Sequence, residues 1–132
     1  MPIASTADAL TRLETLIAGL LFISEADSPL RVERLAEASA RAAVLASGKP
    51  TEAPVSEISV DAFLARAVED LPYHSPTDRV VVARYRALRD FLSDELAQTR
   101  VFRVGEIDVD IYAIGQTADG DWVGVATQVI ET

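Results

Sequence analysis

Along the chain, apolar positions change their spacing once, and that change divides the sequence into two parts. In the first two-thirds they recur at helical intervals. Ser5 and Thr6 can cap a first helix, with Asp8 near its positive end and Leu10, Leu13, Leu16 and Ile17 on one face. Gly19 is a plausible stop, and Ser24 to Pro29 reads as a polar turn. Residues 30–47 are alanine-rich with mixed charge, and propensity alone predicts helix there. Gly48 to Pro54 is a loop, Val55 to Val60 a short extended piece, and Asp61 the cap of a short helix carrying Phe63, Leu64 and Val68. Ser75 and Asp78 have capping-box spacing, with Pro76 at the first helical position. A long helix follows to about Leu96, with Val81, Tyr85, Leu88, Leu92 and Leu96 along one face.

From there the period falls from 3.6 to 2. Arg100 to Val104 forms a short strand. Ile107 to Ile114 sets Ile107, Val109, Ile111 and Ala113 against Asp108, Asp110, Tyr112 and Ile114. Thr117 to Gly120 is a turn, and Trp122 to Ile130 is a β-branched, apolar strand. Helices first and strands last predict an α+β fold, an antiparallel sheet packed on helices.

Composition narrows the function more than the fold. At 132 residues, 49% of them hydrophobic, the chain fits one domain spanning 1–132 with a core that needs no staples. It has no cysteine, which removes disulfides, thiolate metal sites and cysteine nucleophiles. Twenty-one acids against twelve basic residues leave a net charge of −9. Such a field repels nucleic acid and anionic membrane and attracts basic surfaces. The most apolar stretch, Leu16 to Ile23, is too short to span a bilayer and lacks the basic flank of a signal peptide. A cytoplasmic location is expected.

Few residues offer chemistry. His74 is the only imidazole; as a general base it would need Glu69 or Asp70 to orient it, and an ordinary loop histidine is the better reading. Glu106, Asp108 and Asp110 project from one strand face and could bind Mg²⁺ or Ca²⁺, but a solvated sheet face explains them better. The glycines have no phosphate-loop spacing. Ile130-Glu131-Thr132 follows directly from a strand and would present a hydroxyl, a side-chain carboxylate and the α-carboxylate, all hard oxygen donors. Any acidic chain end would look the same.

The stretches GLLFISE (19–25), Asp61-Ala62-Phe63 with Arg66-Ala67, and Val81 to Thr132 through RVGEIDVDIYAIGQT and VIET resemble the nuclease A inhibitor family. The resemblance is weakest from Glu33 to Pro54. It implies an α/β/α sandwich like the plant pathogenesis-related class 1 proteins, with a small, mostly antiparallel sheet between helices and a strand near residues 31–37. It also implies a non-enzymatic protein without cofactors, monomeric when free, that binds a sugar-non-specific endonuclease 1:1 and plugs its metal-dependent active site. In that scheme Glu25 meets cationic groups in the cleft, and the C-terminal Thr132 reaches the nuclease Mg²⁺ with Glu131 beside it. The family's acid–tryptophan pair before the long helix aligns with Pro72 and Tyr73, which keeps an aromatic and loses the acid. An acidic module for another basic partner is the alternative, and a metal-dependent hydrolase built on Glu106, Asp108 and Asp110 is a third.

Overall fold

The computed structural model describes residues 3–23 and 27–131. In chain order the elements are α1 (Thr6–Ile17), β1 (Leu21–Phe22), β2 (Ser28–Pro29), β3 (Arg31–Leu35), α2 (Ala40–Ser47), β4 (Val55–Ile58), α3 (Val60–Leu64), α4 (Pro76–Asp94), β5 (Ala97–Val104), β6 (Asp108–Gln116) and β7 (Trp122–Ile130). Strands β3-β7-β6-β5-β4 form a five-stranded sheet in which every pair is antiparallel, and β1 and β2 form a separate two-stranded ladder.

The sheet is buried on both faces, which makes the fold a three-layer α/β/α sandwich. Alternation along β6 sends Val109, Ile111 and Ala113 to one side, where they pack with Ala9 and Leu13 of α1, Phe63 and Leu64 of α3, and Leu88 and Leu92 of α4. Tyr112 and Ile114 point to the other side and pack with Phe102, Val104 and Ala126 beneath Ala43 and Val44 of α2. The thicker layer, on the three-helix side, carries most of the core. Close approach of the central strands depends on Gly124, where an added Cβ would overlap the Ala113 carbonyl on β6.

The helix ends follow their sequence signals in most cases. Ser5 accepts from the Asp8 amide, and Ser75 and Asp78 form the full capping box with Pro76 in the first turn. Three local expectations are corrected. Residues 30–47 are not one helix: Arg31–Leu35 pairs with Trp122–Ala126 of β7, and the helix begins only after Ser39 caps it. The propensity of that segment is overridden by an open ladder position on β7. Ser59, not Asp61, caps α3, and Asp61 sits in its first turn. On α4 the buried face is Val82, Tyr85, Leu88, Phe91 and Leu92; Val81 is exposed, and Leu96 is buried just beyond the helix end.

The acidic face of β6 is also different from a solvated one. Tyr112 and Ile114 have no exposure, and Asp110 is paired with Lys49 at 2.7 Å. Helix α2 and the loop after it cover this face, and that cover could not be inferred from alternation along a single strand.

Candidate partner-binding site

The sheet register decides which loops share an end of the molecule. Asp108 pairs with Ile130 and Val104 with Asp110, so the β5–β6 turn and the residues after β7 emerge together. Helix α4 runs back along β5, the Thr99 hydroxyl donating to the Leu92 carbonyl where the chain reverses. The two elements are closely matched in length, ~28 Å for the helix and ~26 Å for the strand. The N-terminal end of α4, with the preceding segment 70–75, therefore lies toward that same end. The β1–β2 ladder stands beside it: the Pro29 carbonyl accepts from Thr127 of β7, and the Leu21 carbonyl accepts from Tyr85 at 2.5 Å. Burial away from water pushes the Tyr85 hydroxyl well above the ordinary tyrosine range.

Glu131 is held firmly. Its backbone N–H donates to the Ile107 carbonyl at 2.8 Å, extending the β6–β7 pairing one step past the strand. Its carboxylate forms an ion pair with Arg103 of β5. The expected carboxylate is present at the end of the sheet, and Arg103 fixes its direction. Tyr73 is 80% exposed, its ring edge-on to His74 at 5.3 Å between centroids. Pro72 beside it is exposed too. Glu25 and Thr132 lie outside the described residues; Glu25 belongs to the connection between β1 and β2, and Thr132 follows Glu131.

The structure gives the remaining candidates structural tasks. His74 accepts the Leu71 N–H at Nδ1 (3.2 Å), and its backbone N–H donates to the Leu71 carbonyl, so side chain and main chain together close the turn before α4. Among the described residues no carboxylate is bonded to it; Asp70 lies at 4.0 Å from Arg79 instead. Asp108 accepts from Gln128 at 2.6 Å, and Lys49 serves both Asp110 and, at 3.9 Å, Asp108. Among the described residues no cluster of three or more acids or imidazoles is arranged to hold a metal ion. No described helix is long and apolar enough to cross a membrane.

Sequence reasoning missed Arg103, Gly105 and Ile107. Ile107 fits the alternation that places Val109 and Ile111 in the core, yet it sits in the turn before β6 and is 61% exposed. The only signal was Gly105 immediately before Glu106-Ile107, marking a turn rather than a strand. Gly105 has φ +111°, and a Cβ there would overlap the Asp108 carbonyl.

These features define a class first. The molecule is an α/β/α scaffold that presents Glu106, Asp108 and Glu131 at one loop end and builds no pocket of catalytic groups among its described residues. The family follows from comparison: residues 7–132 match the model of the nuclease A inhibitor-like proteins, and the chain belongs to that family. Among curated proteins no sequence matches it significantly. Membership implies a role as a nuclease inhibitor, with a nuclease as its partner, in a family that is not catalytic.

Proposed function

We propose that this protein is a one-domain, cytoplasmic inhibitor of a Mg²⁺-dependent, sugar-non-specific endonuclease, binding 1:1 through the loop end that carries Glu131. The observation that carries the reading is the fixed register of Glu131, bonded to Ile107 and steered by Arg103, in a chain of the nuclease A inhibitor-like family. A nuclease cleft is lined with cations that hold phosphates, so a partner of charge −9 is drawn into it. Thr132, one residue beyond a fixed position, supplies oxygen donors for the metal's open site and displaces the water or phosphate that turnover requires. Glu25 pairs with cleft cations, and Tyr73 supplies an aromatic contact where the acid before it has become Pro72.

The test is a titration into Mg²⁺-dependent digestion of plasmid DNA by a sugar-non-specific nuclease, with a Thr132-deleted variant alongside. Stoichiometric protection by the intact chain, lost on deletion, is the expected result. Equal protection by both proteins would eliminate the threonine plug. Pro72 favours one second reading, an acidic module for a different basic partner. A salt-sensitive complex lacking any nuclease, recovered from the source cell, would support it.

A further inference from the structure

We infer that Ile107, the last residue of the β5–β6 turn, is an apolar anchor that inserts against the rim of the nuclease's basic cleft; this extends the proposed inhibitor reading and rests on it. An isoleucine 61% exposed is not unusual alone. Its setting is what singles it out. The turn is braced on both flanks: Gly105 N–H donates to the Pro54 carbonyl at 2.9 Å, and the Ile107 carbonyl accepts from Glu131. Gly105 takes a positive φ that a side chain would oppose, and the Lys49 side chain packs alongside it and reaches to Asp110. The side chain is thus presented on a rigid support, so little conformational freedom is lost when a partner covers it.

Charge says what kind of partner that is. Glu106 and Asp108 flank Ile107, and Glu131 is bonded to its carbonyl. Arg103 is taken up by Glu131 and Lys49 by Asp110, while Glu106 has no ion pair among the described residues. An apolar side chain in a turn that also carries Glu106, on a chain of net charge −9, suits a surface where an aliphatic recess is bordered by Arg or Lys. The cationic border of a cleft that binds nucleic acid backbone meets that charge, whereas an acidic surface would repel it and a neutral one would not attract it. A desolvated apolar centre inside a charged rim is also the usual arrangement of an interface residue that dominates affinity.

The experiment measures inhibition constants of the full chain and its Ile107→Ala, Ile107→Val and Ile107→Asp variants against the Mg²⁺-dependent nuclease, with melting temperatures for each. The expected result is a loss of roughly 10- to 50-fold for Ile107→Ala. Ile107→Val should stay within about threefold, and Ile107→Asp should lose more than the alanine variant. Melting temperatures of the alanine and valine variants should match the parent's, because the side chain supports no core. Wild-type inhibition by Ile107→Ala and Ile107→Asp overturns the anchor and leaves the inhibitor reading standing. A valine variant as weak as the aspartate variant also overturns it, since the contact would then not be apolar. Failure of the unmodified protein to inhibit overturns both.

Discussion

Replacing Arg103 with glutamine separates holding the fold from holding the binding end. The Arg103 and Glu131 side chains are 28% and 47% exposed, so their ion pair is a surface pair. Such pairs contribute about 0.2–1 kcal/mol to folding, which moves the melting temperature of a domain this size by no more than about 4 °C. The effect on binding is larger for a different reason. Without Arg103 the Glu131 backbone keeps its bond to Ile107, but its carboxylate loses the cation that directs it. Re-ordering the freed Glu131 side chain on binding costs up to about 1.5–2 kcal/mol, a loss of roughly 10- to 30-fold in inhibition. The assay pairs an inhibition constant from cleavage of a fluorogenic DNA with a thermal melt. Glu131→Gln and the double variant complete a cycle, and if the arginine works through Glu131, the double variant should be no weaker than the weaker single one. Inhibition unchanged within twofold in Arg103→Gln would refute the claim that this pair pre-organises the binding end.

Other consequences can be checked independently. Gly124→Ala places a methyl on the Ala113 carbonyl in the centre of the sheet, and urea unfolding should show destabilisation of about 3 kcal/mol or outright failure to fold. Leu64→Ala, at the fully buried last position of α3, should cost about 2–5 kcal/mol in the same assay. Asp121, held below the usual carboxylate range chiefly by the Thr6 hydroxyl, contributes stability that is present above its ordinary value of 3.8 and is lost as pH falls through its lower folded value. Asp121→Asn should therefore lower the melting temperature at pH 6, with the difference from the parent shrinking as the pH falls below 3.8. His74→Gln should leave the pH profile of inhibition between 5 and 8 unchanged, because the imidazole accepts a backbone N–H and serves the turn; a shifted profile would restore it as a working group.

Local signals alone determined much of this molecule. The capping box at Ser75 and Asp78, the helix it starts, and the strand from Trp122 to Ile130 were legible because each is specified by residues within a few positions of one another. The charge of −9 and the lack of cysteine limited the chemistry before any fold was known. The resemblance in GLLFISE and the final third gave the family, and the match over residues 7–132 established it. Of the four residues expected at the interface, the structure brings Glu131 to the loop end with Ile107 and leaves Tyr73 exposed before α4, while Glu25 and Thr132 lie outside the described residues.

What only the tertiary structure decided depended on partners distant in sequence. Arg31–Leu35 became a strand because β7 offered it a ladder, against the helical propensity of its residues. The acidic face of β6 was covered because α2 and Lys49, some sixty positions earlier, fold over it. Ile107 belonged by alternation to the core and by geometry to the surface, because the strand begins one residue after it. Arg103 and Glu131 meet across an intervening strand, and no pattern along the chain encodes that distance. Periodicity specifies which face a residue takes within its own element; what that face meets is set by packing, and here packing built the binding end.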